Sequence, residues 1–314
     1  MSMARQSSDY GRLTPKMMVE LAAPHTWPAS IFPVLTAVAL AFATDAAAMA
    51  GALSGLTVCI LLAISVLFQS AVNTINDYFD YVKGTDTAEN QDDPTDAVLV
   101  YNNVDPRHAL AYAVILIACA FSLGIYCIVL AGWIPLAIAC VGVLIVFLYS
   151  GGRTPISYLP IGELVSGITM GGLITLASYQ VLTLRFDPLV LVWSLPLILG
   201  IGLIMMTNNG CDIEKDIEAN RRTLPVLLGH ERTVAVYHGV VYAWALSICA
   251  IVLLFFTKGW VVLPFMLLAV HPLGRALLAN PLVPRTRGAA FGQCTSLNVA
   301  LGAFYAAAIF CAAI

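Results

Sequence analysis

Residues Asn73–Asp86 read NTINDYFDYVKGTD, and the rest of the chain is understood through them. Two asparagines and three aspartates fall within these fourteen residues, after the apolar run VCILLAISVLF at 58–68. Carboxylates at the end of a lipid-buried helix are costly, so such a helix end carries them for a purpose.

The surrounding composition makes the helix a membrane helix. Hydrophobic residues make up 60% of the 314-residue chain, charged residues only 11%, and the mean hydropathy is +0.88. Soluble domains do not reach such values. Many apolar runs are long enough to cross a hydrocarbon core of roughly 30 Å at about 1.5 Å per helical residue. Apolar runs between polar breaks predict nine spans, near residues 26–44, 50–75, 108–130, 133–150, 161–183, 189–209, 233–256, 260–279 and 289–312. The expected fold class is an all-α polytopic membrane protein, one membrane-embedded domain over 1–314 with residues 1–22 as an N-terminal segment. That segment lacks the charged, apolar and small-residue regions of a cleavable signal peptide. Trp27, just before the first span, suits the headgroup level.

Lysine and arginine set the expected orientation. With the N-terminus in the cytoplasm, thirteen of the fifteen lie in cytoplasmic segments, leaving only Arg185 and Lys258 outside. This predicts a multi-pass cell-membrane protein with its N-terminus cytoplasmic and its C-terminus external. The net charge of −3 gives no reason to expect a nucleic-acid partner. The eight cysteines form no Cys-x2-Cys pair, and seven sit inside apolar runs, where a thiol serves as a small packing residue. The five histidines show no ligand spacing.

Acids are distributed quite differently. Of eighteen Asp and Glu, eight lie between Asp77 and Asp105 and five between Asp212 and Glu231, after the second and sixth spans. On a helix, Asn73, Asn76, Asp77 and Asp80 stand at i, i+3, i+4 and i+7 and share one face, which Gln69 extends into the membrane. The later segment TNNGCDIEKDIEANRRTLPVLLG, 207–229, repeats the pattern with Asn208, Asp212 and Asp216 at i, i+4 and i+8. Asn73-x3-Asp77 and Asn208-x3-Asp212 are one signature 135 residues apart, each closing an even-numbered span. Like charges at i, i+4 repel and need a cation. Hard oxygen donors suit Mg²⁺, which keeps coordination sites for water and phosphate oxygens. Two facing aspartate clusters therefore point to a diphosphate whose departing charge the metal neutralises. Hydrated helix caps are the plain alternative for either cluster alone. Nearby cations are Lys83, Arg153 in the glycine-rich YSGGR at 149–153, and Arg221 and Arg222, whose simplest explanation is the cytoplasmic excess of positive charge.

These motifs resemble the two signature loops of the UbiA superfamily of intramembrane prenyltransferases, and YSGGR resembles its Tyr-x3-Lys/Arg element. DYVKGTD at 80–86, PISYLPIGE at 155–163 and NRRTLPVLLG at 220–229 resemble most closely the 1,4-dihydroxy-2-naphthoate polyprenyltransferases of the menaquinone pathway. The resemblance runs from Ala71 to Thr233. It implies nine helices around a central cavity, a cytoplasmic cap formed by the acidic loops, and a lateral opening to lipid. It further implies that a polyprenyl diphosphate binds through Mg²⁺, ionises, and passes its allylic group to an aromatic acceptor. Asp77, Asp80, Asp212 and Asp216 would then be the catalytic, metal-holding residues, assisted by Asn73, Asn76 and Asn208. Lys83 and Arg153 would hold the diphosphate, with Tyr149 nearby. In the naphthoate branch the prenyl group replaces the acceptor's carboxylate, which leaves as CO₂. This chain departs from that branch at 89–96, where Asp92, Asp93 and Asp96 stand in place of a basic Gly-Pro-Arg-like segment.

Phe68, Tyr78 and Tyr149 are candidates to steady an allylic cation, and Asp86 or Glu163 to orient or deprotonate the acceptor. Other acceptors of the superfamily (4-hydroxybenzoate, haem, chlorin, glycerol-phosphate lipid) remain open. A cation-coupled transporter is the reading from another class, but transporters bind near the bilayer midplane, whereas these acids close helices beside polar loops.

Overall fold

The computed structural model describes residues 10–45, 54–84 and 97–314. Those residues form helices and the turns between them, with one isolated parallel bridge, Gly11 to Val104. In chain order the helices are α1 (Pro15–Ala22), α2 (Pro28–Asp45), α3 (Gly55–Lys83), α4 (Val98–Asn102), α5 (Pro106–Ala131), α6 (Ile134–Ser150), α7 (Gly162–Gly167), α8 (Ile174–Thr183), α9 (Leu189–Trp193), α10 (Leu195–Cys211), α11 (Ile213–Glu218), α12 (Leu224–Leu228), α13 (His230–Phe255), α14 (Leu263–Leu278) and α15 (Arg287–Ala312). A π-helical stretch, Ile168–Leu173, joins α7 to α8.

Among the described residues, six helical segments are long and apolar enough to cross a membrane, or seven if α1 and α2 count as one span bent by 53°. Two further apolar helices, α6 and α10, have seventeen residues each. At about 1.5 Å per residue they reach ~26 Å, slightly less than a hydrocarbon core. The run at 189–209 proves to be two helices broken at Ser194. Pro196 stands in the first turn of α10, where its missing N–H costs nothing, whereas within one continuous helix it would leave a carbonyl unpaired.

Helix α3 is the longest element on which the site depends. Its N-cap is Ser54, whose side chain accepts from Thr57 N–H, and it stops at Gly84 in the left-handed conformation (φ +70°). Twenty-nine residues extend about 43 Å at 1.5 Å each, so the Asn73–Lys83 turns pass beyond the apolar half of the helix. At the same end, α1 packs on α4 and α5 through a small core of Leu21, Val98, Leu99, Val104 and Ala109. Gly11 N–H donates to Asn103 O (3.0 Å), tying the N-terminal segment to it.

Helix α7 and the π-helical stretch that follows it approach α10 through glycine. A Cβ on Gly167 would sit 2.4 Å from Ile198 O, and one on Gly171 2.6 Å from Ile198 N. Without a hydrophobic drive between helices in lipid, small residues four apart allow the close packing that holds them. Gly171→Ala is expected to force the helices apart and cost about 1–3 kcal/mol, seen as a lower melting temperature of the detergent-solubilised protein. An unchanged melting temperature would show that the contact yields freely.

Candidate active site

A cleft of about 530 Å³ opens where α3, α6, α10 and α11 end. Asn73, Asn76, Asp77 and Asp80 line it from one side, Asn208, Asp212 and Asp216 from another, and Tyr149 from α6. The two motifs, far apart in sequence, thus share one cavity. On the second motif the helix breaks at Asp212, dividing α10 from α11. The i→i−4 ladder survives the break. Asp212 N–H donates to Asn208 O (3.1 Å) and Asp216 N–H to Asp212 O (2.8 Å), so the three residues stay stacked.

The asparagines of the first motif also hold the walls of the cleft together. Asn73 Nδ2 donates to Ala22 O (3.0 Å) and to Thr26 Oγ1 (2.8 Å), and Gln69 Nε2 donates to Thr26 Oγ1 (3.1 Å). The bend between α1 and α2 is thereby fastened to α3. Ser150 Oγ donates to Asn76 Oδ1, fastening the end of α6 to the same helix.

Cations sit among the acids. Arg221 spans the two motifs, with Nη2 2.9 Å from Asp80 Oδ1 and Nη1 3.5 Å from Asp216 Oδ1, and its guanidinium lies 4.8 Å from the Tyr158 ring centre. Arg287 Nε stands 3.1 Å from Asp212 Oδ2, and Lys215 lines the cleft as well. Asp216 is only 2% exposed, and Thr223 Oγ1 donates to its Oδ2 (3.0 Å). Burial raises the pKa of Asp216, with Arg221 and the Thr223 hydrogen bond opposing. Burial works against the charge of Arg221, but Asp80 and Asp216 outweigh it and raise its pKa further. The guanidinium thus sets positive charge between carboxylates of the two motifs.

Lys83 and Arg153 are placed differently from the other expected residues, since neither lines the cleft. Lys83 Nζ donates to Ser150 O (2.5 Å) and lies over the rings of Phe79 (5.3 Å) and Tyr158 (5.1 Å). Arg153 is exposed, beside Gly152 at φ +81°. Tyr78 packs edge-to-face on Phe79 (5.2 Å) and does not line the cleft. Asp86 and the acidic stretch 89–96 lie outside the described residues. Two further cleft residues, Arg287 and Asn209, carry no mark of a site in the sequence. Arg287 sits in no motif, and Asn209 stands beside Asn208 with nothing to mark it out.

The donor set can be tested against a divalent cation. Among the described residues, no three acidic, histidine or cysteine side chains gather closely enough to hold a metal by themselves. The four aspartates instead come from two helix ends around one cleft, all hard oxygen donors. Such a set fits Mg²⁺, which is ordinarily held by one or two carboxylates together with substrate phosphates rather than by an all-protein cage.

A second, apolar cavity of about 160 Å³ lies among α3, α5, α6 and α8, lined by Leu61, Phe68, Phe121, Gly124 and Val143. Gln69 and Met170 line both cavities, so the groove adjoins the polar cleft. Phe68 meets Phe121 edge-to-face (5.7 Å) on its wall.

Comparison with known proteins places the chain among membrane prenyltransferases. A 1,4-dihydroxy-2-naphthoate octaprenyltransferase of Bacillus subtilis is 33% identical over 241 residues, covering 74% of this chain and 73% of its own. A Mycobacterium tuberculosis protein of the same name is 29% identical over 272 residues, 85% of this chain and 89% of its own. The fold matches a UbiA homolog from Archaeoglobus fulgidus, solved with GPP and Mg²⁺, at a TM-score of 0.64 and 16% identity, over 94% of this chain and 99% of the homolog. Residues 30–298 match the UbiA prenyltransferase family, which takes in both acidic motifs, and the chain is a membrane prenyltransferase belonging to that family.

Proposed function

We propose that this prenyltransferase moves a polyprenyl group from its diphosphate to an aromatic acceptor, 1,4-dihydroxy-2-naphthoate, in menaquinone biosynthesis, with Mg²⁺ as cofactor. The observation that carries the reading is the convergence of Asp77, Asp80, Asp212 and Asp216 on one cleft that adjoins an apolar groove. The acceptor is taken from the Bacillus and Mycobacterium relatives and from the wording around both motifs. The cleft faces the cytoplasm, where lysine and arginine concentrate, with the N-terminus on that side and nine crossings in all.

Asp77, Asp80, Asp212 and Asp216 would hold Mg²⁺ together with the diphosphate. The bound metal supplies positive charge against the negative charge that grows on the leaving oxygen. Arg221, Arg287 and Lys215 act at the same place by exchanging carboxylate partners for phosphate oxygens, for which a guanidinium fork is well shaped. Lys83, bonded to the cleft residue Ser150, and Arg153 would reach the diphosphate from beyond the lining. The prenyl tail lies along the groove past Phe68 and Phe121, which removes it from water. As the C–O bond breaks, the face of Tyr149 steadies the allylic cation, and the apolar walls exclude water that would quench it to a prenol. The acceptor carbon bearing the carboxylate takes the prenyl group, and the carboxylate leaves as CO₂.

The test is to incubate purified protein with a labelled polyprenyl diphosphate, Mg²⁺ and a panel of aromatic acids, and to identify the product by mass. Prenylated, decarboxylated naphthoate is expected. Product from 4-hydroxybenzoate alone would move the assignment to another branch, and diphosphate release with no acceptor in the panel consumed would reject them all.

The groove makes a separate prediction. Gly124 lines it, and a Cβ added there meets nothing within 4 Å. Gly124→Phe should fill the groove, lowering kcat/KM for a long polyprenyl donor by at least about tenfold relative to a geranyl donor. Equal losses for both donors would place the tail elsewhere.

A further inference from the structure

We infer that Glu163 is the positioning residue of the acceptor subsite, acting by orienting the Asn209 amide so that it receives a hydroxyl of the aromatic substrate. The inference rests on the proposed prenyl transfer and adds the group that reads the acceptor.

Glu163 opens α7 and is 7% exposed. Asn209 Nδ2 donates to its Oε1 (2.8 Å), while its Oε2 is buried with no hydrogen-bond partner among the described residues. A buried carboxylate oxygen left in this way is costly, so the group is kept for more than packing. Gly202 lets it come close, because a Cβ there would lie 3.3 Å from Glu163 O. The carboxylate does not itself line the cleft, whereas Asn209, which bonds it, does.

The hydrogen-bond chemistry fixes the amide. Asn209 turns its NH₂ toward Glu163 Oε1, which accepts from it. Its carbonyl oxygen remains as an acceptor at the cleft. An acceptor group backed by a carboxylate repels a diphosphate and suits a hydroxyl donor. The cleft is therefore divided. Arg221, Arg287 and Lys215 form its cationic part, and Asn209 with Glu163 its hydroxyl-reading part. The ligand class that fits the second part is an aromatic substrate with a free ring hydroxyl.

The test measures KM for donor and acceptor separately in purified protein. Glu163→Leu should raise acceptor KM about tenfold, the worth of one oriented hydrogen bond, with donor KM within about twofold. Glu163→Gln should restore acceptor KM, because its carbonyl oxygen can still accept from Asn209. Asn209→Ala should match Glu163→Leu, and the double variant should be no worse than either, as for residues acting as one unit. The mono-methyl ethers of the acceptor supply an arm independent of mutation. Blocking the hydroxyl that is read should cost wild-type protein about tenfold in kcat/KM and cost Asn209→Ala nothing further.

Acceptor KM unchanged in both Glu163→Leu and Asn209→Ala would overturn the inference, as would donor and acceptor KM rising together. If Glu163→Leu does not insert, Asn209→Ala and the ethers decide alone. Wild-type protein that prenylates no aromatic acid would reject the proposed function itself, whereas normal wild-type turnover with an indifferent acceptor KM rejects only the role of Glu163.

Discussion

Asp77→Asn and Asp212→Asn are each expected to lower Mg²⁺-dependent prenyl transfer by about a hundredfold to a thousandfold or more, the scale on which removing one charge-stabilising group acts. The substitution keeps the shape of the side chain and removes its charge. Both residues line the cleft on helices whose ends are held by other contacts, α3 by the Asn73 and Gln69 bonds to Thr26 and α10 by its packing on α7. Each variant should therefore insert and melt close to wild type. Asp212 carries a further effect, since its loss leaves Arg287 without that carboxylate. Turnover is read with purified protein across a range of Mg²⁺ concentrations. Full activity in either variant would sink the metal role of its cluster.

Arg221→Gln should damage both stability and activity. Arg221 joins Asp80 to Asp216 across the two motifs, and its side chain is 15% exposed. Its removal leaves the nearly buried Asp216 with the Thr223 hydroxyl and no guanidinium. Breaking one side of a buried pair costs about 3–5 kcal/mol, so the melting temperature in detergent should fall well below that of wild type. Adding Asp216→Asn to Arg221→Gln removes the uncompensated charge and should recover much of the stability. It should recover none of the prenyl transfer, because the proposed mechanism sets both groups against the diphosphate. A single variant as stable and active as wild type would show that Arg221 is a bystander held by surface charge.

The same arginine shows where legibility stopped. In the sequence it is one of two arginines after an acidic motif, and cytoplasmic positive bias explains it as well as any function does. Only the fold brings it to Asp80, 141 residues away. Lys83, expected near the diphosphate, bonds Ser150 O and covers two aromatic rings, contacts that its spacing did not foretell. Its long, flexible stem reaches several partners, so its register on α3 did not decide which one it meets.

The sequence by itself determined the membrane class, the helical segments and the pairing of two acidic motifs. These depend on local rules: apolar length against bilayer thickness, and the i, i+4 geometry that stacks Asn208, Asp212 and Asp216 on one side of a helix. Tertiary structure alone decided which cation meets which carboxylate, that Asn73 fastens the α1–α2 bend, that Glu163 orients Asn209, and that an apolar groove adjoins the cleft at Gln69 and Met170. Such contacts join residues from different helices. They are set by how closely the helices approach, at places such as Gly167 and Gly171 against Ile198, and no periodicity within one helix encodes that distance.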